Sequence, residues 1–349
     1  MCGIVGYIGD KVTSDLLLQG LSRLEYRGYD SAGLVVLHDD DFSLFREVGR
    51  VHNLSQSLQG MEFKGTGIAH TRWATHGGVT QQNAHPHMSE DKQIIIVHNG
   101  IIENATFLRE KLQSNGISLQ SETDSEAISQ ILANFYAGKG PFGEEGKSPE
   151  TLGNPRLSLQ RTLQLTRGTW GIAALFKDRP DYILCARNGS PLVVGVADDA
   201  MYVASDPHAL TPYTRRVIFM NDGEIAELTK SNFNIYRTDG QSSDGQIEIL
   251  EEEWATGELG DYPHFMLKEI FEQSEALRQC LRGRLRHDEG LAKLGGLEML
   301  PKDILDISRV ILLGCGTSYH ASLIGALALE KLARIPAKAE IASEFRHRN

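Results

Sequence analysis

The chain has 349 residues, 41% of them hydrophobic and 23% charged, the proportions of a globular protein long enough for two cores. Its 35 glycines and 11 prolines follow no repeating period, which excludes fibrous and low-complexity classes. Asp and Glu outnumber Lys and Arg 46 to 35, and a formal charge of -11 repels nucleic-acid phosphates and anionic membranes, so neither is an expected partner.

The chain opens Met1-Cys2-Gly3-Ile4-Val5-Gly6, with no basic stretch or long apolar core, so no signal peptide is expected. Cys2, Cys185, Cys280 and Cys315 are too scattered for a disulfide framework or a zinc site, and no apolar run could span a bilayer. A cytoplasmic location is expected. Ile4 to Ile8 reads as a strand, and Ser14 to Glu25 as a helix with Leu17, Leu21 and Leu24 on one face. Strand-like runs follow at Leu34 to Leu37, Gly67 to His70, Ile94 to Asn99, Ile172 to Phe176, Tyr182 to Ala186, Leu192 to Val196, Met201 to Ala204 and Val217 to Met220. Between them lie two helices, Asn104 to Ser114 and Ser125 to Tyr136, the second preceded by Asp124, a side chain suited to capping it. Strands outnumber helices and lie close in sequence, so residues 1–240 are expected to be α+β with largely antiparallel sheets. Gly138 to Pro155 is rich in Gly and Pro and reads as a mobile surface insertion, and Thr238 to Gly245 as a linker.

A connecting segment, 241–307, carries a long amphipathic helix from about His264 to Leu281. From Ser308 the pattern becomes strand Val310 to Leu313, a tight Gly314-Cys315-Gly316-Thr317-Ser318 turn, helix Tyr319 to Ala333 and strand Ala337 to Ile341. This is one βαβ unit. One unit cannot cover both faces of a parallel sheet, so residues 308–349 are expected to open a domain that continues beyond Asn349.

Cys2 becomes the first residue if Met1 is removed, and its thiol and free α-amine then belong to one residue. An α-amine titrates at roughly 7.7 to 8.0, so it can take the thiol proton near neutral pH, directly or through a water. With Met1 attached the same nitrogen is an amide and cannot. On its own, a Cys2 start is far more often just a small residue packed beside the first strand.

The surrounding motifs decide between these readings. Met1-Cys2-Gly3-Ile4-Val5-Gly6, the run from Leu24 to Gly33, His70-Thr71-Arg72-Trp73-Ala74-Thr75-His76-Gly77, Asn83-Ala84-His85-Pro86-His87 and Val97 to Asn104 together resemble the glutamine amidotransferases of the N-terminal nucleophile type. Ala204-Ser205-Asp206 and Lys268 to Gln273 extend the match along nearly the whole chain. Within that group the resemblance is to the branch that aminates a sugar phosphate. It implies a four-layer αββα sandwich with antiparallel sheets, followed by the first βαβ unit of an α/β sugar isomerase (SIS) domain. It also implies the reaction: L-glutamine plus D-fructose 6-phosphate give D-glucosamine 6-phosphate and L-glutamate, in a homodimer, with no metal or organic cofactor.

Amide hydrolysis needs a nucleophile, a proton carrier and donors for the tetrahedral oxyanion. Cys2 supplies the first two, and Asn99 with Gly100 can supply the third through a side-chain and a backbone N–H. Arg72 suits the α-carboxylate of glutamine as a bidentate partner. By resemblance Asp124 accepts the α-ammonium, Thr75 and His76 complete the glutamine pocket, Trp73 gates an ammonia path, and Arg27 orders the nucleophile. His70, His76, His85, His87 and His98 lack metal-ligand spacing and are expected as hydrogen-bonded core or loop residues. Cys315, Gly316, Thr317 and Ser318 resemble the hydroxyl-rich sugar-phosphate site of the SIS fold; the alternative is a tight turn with a helix cap.

Ser125 and Ser274 stand where the family more often has Thr and Pro, and the 138–155 insertion is longer than expected. The second phosphate loop and the isomerase acid and base would lie beyond Asn349, so glutaminase capacity at most is expected of this chain. Other Cys2 enzymes, amidophosphoribosyltransferase, asparagine synthetase and glutamate synthase, share the start but not the Gly-Cys-Gly-Thr-Ser turn. A non-catalytic sugar-phosphate sensor on the same folds is the rival from another class.

Overall fold

The computed structural model describes residues 2–74, 77–250, 261–281, 285–286, 290–292 and 301–348, which fall into two compact units, Met1–Glu258 and Leu259–Asn349. In chain order the first half of the first unit contains β1 (Gly3–Ile8), α1 (Thr13–Leu24), β2 (Ser31–His38), β3 (Asp41–Val48), α2 (Val51–Leu58), β4 (Thr66–Arg72), β5 (His87–Met88), β6 (Ile94–Ile102) and α3 (Ala105–Ser114). It continues with α4 (Asp124–Tyr136), α5 (Pro155–Leu165), β7 (Gly168–Phe176), β8 (Ile183–Asn188), β9 (Val193–Val196) and β10 (Met201–Ala204). β11 (Arg216–Phe219), β12 (Glu224–Leu228), β13 (Phe233–Arg237), β14 (Ser242–Ser243) and β15 (Glu248–Ile249) complete it.

Two antiparallel sheets result. One runs β15-β11-β9-β10-β1-β4-β2-β3 and the other β14-β13-β12-β8-β7-β6-β5. Side-chain alternation along β6 shows how they stack: Ile95 and Val97 pack with Ile4, Val35 and Ile68 of the other sheet, while Ile94 and Ile96 pack against α3 and α4. The outer face of the first sheet carries α1 and α2 through Val5, Tyr7, Leu17, Leu21 and Leu54. Helix, sheet, sheet, helix is the αββα sandwich that the resemblance implied, and each fully buried Leu or Ile contributes about 1.5–3 kcal/mol to holding it.

Several expectations need correction. Helix α4 begins at Asp124 and is capped by Thr123, whose side chain accepts from the Glu126 N–H; Asp124 is the first helical residue, and its carboxylate is used elsewhere. The 138–155 segment is at the surface as expected, with residues 144–147 exposed, but its ends are tied down: Thr151 is fully buried, and Gly153 N–H donates to Tyr136 O at 2.9 Å. Its end was missed as a helix start, where Asn154 accepts from Leu157 N–H and Pro155 takes the first position of α5. Residues 238–245 form a turn into β14, which pairs with β13, and β15 then adds to β11, so the sheets run on past residue 240. Strands β3 and β13 carry charged or polar residues on a half-exposed face, and β12, buried at four of its five residues, is interrupted by Glu224 and Glu227; both patterns hid them from a search for apolar runs.

In the second unit α6 (Phe265–Leu281) matches the amphipathic stretch. β16 (Leu285–Arg286) pairs with β17 (Leu291–Ala292), and α7 (Pro301–Leu305) precedes the βαβ unit. There β18 (Val310–Gly314) pairs in parallel with β19 (Ala337–Ile341), with α8 (Thr317–Ala328) and a five-residue π-helical turn, Leu329–Ala333, between them. Helix α8 starts two residues earlier than the sequence reading placed it. No helix among the described residues is long and apolar enough to cross a membrane.

Candidate active site

The site lies where β1 begins and β4 ends, against the far end of β6 and the start of α4. In register, Gly3 faces Thr71 and Ile4 faces His70, which puts the residue before β1 beside the residues after β4. Cys2 Sγ accepts the Trp73 N–H at 3.2 Å. Burial pushes the Cys2 thiol pKa up, and the Trp73 hydrogen bond and the Arg72 charge offset this only in part. The thiol is therefore protonated near neutral pH and needs a base to become a nucleophile.

Asn99 follows Ile95 and Val97 on the inter-sheet face of β6, and its Nδ2–H donates to the Cys2 carbonyl at 3.1 Å. Gly100 takes φ +136°, and a Cβ there would stand 2.1 Å from Thr169 O, so no other residue fits. The backbone amide after Asn99 thus sits at a kink that only glycine allows. Arg72 ends β4 on the same inter-sheet face, is buried, and donates to Gly78 O at 3.1 Å. Burial lowers its pKa while Cys2, Asp124, Asp30 and Glu122 act in the opposite direction. Asp124 is buried at the start of α4, where the helix dipole favours a carboxylate, and accepts the Ile102 N–H at 2.9 Å. Cys2, Arg72, Trp73, Gly100 and Asp124 line one cleft, together with His85, His98, Thr123 and Ser125.

Trp73 is 46% exposed and meets Tyr29 edge-on at 5.8 Å. The Arg27 guanidinium pairs with Asp206 and Tyr26. Burial acts to raise the Asp206 pKa, yet the hydrogen bonds from His208 and the Arg27 charge hold the carboxyl well below its usual range. The neighbouring Gly28 is what packs on the site, since a Cβ there would lie 2.9 Å from the Arg72 carbonyl carbon and from Trp73 N. Thr75 and His76, expected in the glutamine pocket, lie outside the described residues.

Sequence reasoning assigned no role to Asp30, Asn83 and Glu122, which shape this cleft, and expected its histidines only as hydrogen-bonded core or loop residues. Asp30 accepts the Ala74 N–H at 2.8 Å, and Glu122 accepts from Gly78 N–H at 3.0 Å and Asn83 Nδ2 at 2.9 Å, strapping the loop after Arg72. The Asn83 hydrogen bond lowers the Glu122 pKa. His85 Nε2 and His98 Nδ1 each lie 2.9 Å from Ser125 Oγ, and His87 Nε2 lies 3.0 Å from Thr123 Oγ1. His70 contacts Asn99 Oδ1 at 2.9 Å. Burial pushes His70 down to about 3, and His85 and His87 well below 6.5, so these rings are neutral hydrogen-bonding groups. Their shared signal was their clustering in two motifs, which spacing alone could not convert into contacts.

The second candidate site is built locally. Gly316 has φ +56° and precedes α8, so Thr317 and Ser318 occupy the helix's first turn, and Cys315, Gly316, Thr317 and Ser318 are all exposed. Free backbone N–H groups at such a turn suit a phosphate.

The glutamine amidotransferase domain profile matches residues 70–212, and the SIS domain profile matches 303–349. The chain carries a glutamine amidotransferase domain followed by a SIS-domain segment. It is 40% identical over its whole length to a glutamine-fructose-6-phosphate aminotransferase (isomerizing) of Chlorobaculum tepidum, of which it covers 56%. It is 42% identical, again over its whole length, to the Thermus thermophilus enzyme of the same name, of which it covers 55%. The chain thus spans little more than half the length of these relatives. In fold, 97% of this chain superposes on 65% of the glutamine phosphoribosylpyrophosphate amidotransferase from B. subtilis, with a TM-score of 0.58 at 18% identity. A structure titled as the allosteric regulatory enzyme of purine biosynthesis matches 68% of this chain and 49% of its own, with a TM-score of 0.56 at 22% identity.

Proposed function

We propose that this chain works in the conversion of L-glutamine and D-fructose 6-phosphate into L-glutamate and D-glucosamine 6-phosphate, and that residues 1–240 carry the glutamine half. The observation that supports it best is the meeting of a half-buried Cys2 thiol, an Asn99 amide donating to the same residue, and an Arg72–Asp124 pair in one cleft.

In this reading the α-amine of Cys2, freed by loss of Met1, takes the thiol proton as Sγ attacks the side-chain amide carbon of glutamine. The carbonyl oxygen becomes an oxyanion held by Asn99 Nδ2 and the Gly100 N–H, each donor worth about 3 kcal/mol. The ammonium of Cys2 returns its proton to the leaving nitrogen, ammonia departs, and water cleaves the thioester to release glutamate. Arg72 holds the α-carboxylate and Asp124 the α-ammonium of the substrate, with Thr75 and His76 beside them. Trp73 screens the cleft, and Arg27, tied to Asp206, holds the Gly28 segment against it. Ammonia passes to the sugar phosphate, whose phosphate is held by Cys315, Gly316, Thr317 and Ser318 in residues 308–349. A homodimer is the assembly proposed.

Glutamate release by the chain, beside Cys2→Ala, tests this. The variant is expected to lose at least ~10³-fold in kcat with its thermal unfolding unchanged. Equal release by the two proteins would reject the mechanism. N-terminal mass spectrometry of the active preparation should find Cys2 first.

A further inference from the structure

We propose that His70 is a positioning residue for the oxyanion hole: its Nε2–H locks the Asn99 carboxamide with the NH2 group turned toward Cys2. The kinetic consequence rests on the glutamine hydrolysis proposed above; the geometry does not.

His70 follows Ile68 on the inter-sheet face of β4, is 1% exposed, and reaches across to β6. Its Nε2 lies 2.9 Å from Asn99 Oδ1 and 3.1 Å from the His98 carbonyl. Two oxygens facing one ring nitrogen require that nitrogen to carry the proton. Burial keeps the ring neutral, with a pKa near 3, so Nδ1 is the bare nitrogen, and Nδ1 has no hydrogen-bond partner among the described residues. Rotating the Asn99 amide by half a turn would set Oδ1 against the Cys2 carbonyl oxygen and the NH2 group against the His70 N–H. Both contacts would be repulsive, so one N–H of His70 selects the donor face of Asn99. The ring itself is clamped: His85 lies over it with centroids 4.1 Å apart and planes at 31°. Ser125 Oγ in turn holds His85 and His98. An oxyanion donor must be oriented before reaction to be worth its full stabilisation, and this chain of contacts orients it.

Two measurements test the assignment. In a nitrogen-15-labelled chain, the His70 ring, identified by its loss in His70→Gln, should keep its proton on Nε2 from about pH 5 to 8. A proton on Nδ1, or a titration near neutrality, would overturn the proposal. For glutamate release, His70→Phe keeps bulk without a donor and should lower kcat on the order of 10- to 100-fold, with KM within about twofold. His70→Gln, which offers an N–H at similar reach, should recover most of that loss. Unchanged kcat in a folded His70→Phe protein, or a loss confined to KM, would overturn it. If His70→Phe does not fold, the tautomer and the His70→Gln rate decide. An Nε2 proton in a chain that hydrolyses no glutamine supports the His70 geometry and rejects the proposed reaction instead.

Discussion

The two candidate sites are built in opposite ways. The cleft at Cys2 is assembled from distant parts of the sequence: Cys2 meets Trp73 at the open side and Asn99 further in, and Asn99 meets His70 in a buried contact. The turn at Gly314 to Ser318 is five consecutive residues, exposed except at Gly314, whose geometry is set by a strand, a glycine at φ +56° and a helix start. In the first, the sandwich positions every group and each neighbour constrains the next. In the second, local backbone does all the positioning. Substitutions at the buried groups of the cleft, such as His70 and His85, should therefore act on both chemistry and folding, and those in the turn on neither glutamine chemistry nor the stability of the first unit.

The sharpest way to break this contrast is to keep every cleft contact and remove one proton acceptor. An alanine inserted between Met1 and Cys2 leaves the thiol but makes its backbone nitrogen an amide. Glutamate release should fall by about 10²–10⁴-fold, the usual worth of a general base. A smaller loss would mean that another group takes the thiol proton. Next in size is Asn99→Ala, which removes a donor and leaves the His70 N–H with the His98 carbonyl alone. It should lower kcat by about 10²–10³-fold with little change in KM. If the loss appears in KM, Asn99 binds ground-state glutamine and is not an oxyanion donor.

The difference between the sites also explains what the sequence made legible. The strands of the sandwich interior, such as Ile94 to Asn99 and Ile172 to Phe176, are strongly apolar runs and were found, although β6 runs on to Ile102 and β7 starts at Gly168, where the sequence turns polar or glycine-rich. The edge strand β3, with Asp41, Ser43, Arg46 and Glu47, was not, because its outer face meets solvent and its pattern is mixed. Cys2, Asn99, Gly100 and Arg72 were named because their residue types, within motifs that resemble a known family, suit amide hydrolysis, and Asp124 was named by the resemblance alone. Asp30, Asn83 and Glu122 were not, because a carboxylate that straps a loop looks like any surface acid until its partners are known. Arg27 was placed near the nucleophile by its motif, and only coordinates could show that its charge goes to Asp206. Asp124 was read as a cap because acids before helices usually cap, but Thr123 takes that place.

Burying histidines beside the cleft has a cost that the exposed turn does not carry. His70 is held near 3, and His85 and His87 well below 6.5, by removal from water. Each binds a proton in the unfolded chain at about pH 6.5 but not in the folded one. The sign follows: stability is complete above about pH 6.5 and is lost as pH falls toward the folded values. At pH 5.5 each histidine withdraws roughly 1.4 kcal/mol, so the three together cost about 4 kcal/mol, before the carboxylates begin to titrate. Urea unfolding of the first unit at the two pH values measures this directly. His87→Gln, which can still meet Thr123, should reduce the difference by about a third. A stability that stays flat between about pH 7 and 5.5 would mean that the cluster admits water.

The smallest expected effect is at the turn. Thr317→Ala with Ser318→Ala removes two exposed hydroxyls from the first turn of α8, neither of which caps that helix. Such surface changes stay within about 0.5 kcal/mol, so the unfolding curve should barely move. Glutamate release should be the same within about twofold, because no group in the glutamine reaction lies in this turn. What should change is affinity for a sugar phosphate, because the hydroxyls would add donors to the backbone N–H groups at the helix start. Titration with fructose 6-phosphate, followed by calorimetry, separates the outcomes. Weaker binding with intact glutaminase keeps the two sites independent in construction. Glutamine hydrolysis that falls along with sugar binding would show instead that the exposed turn governs the buried cleft, and the contrast between a self-sufficient site and a local one would fail.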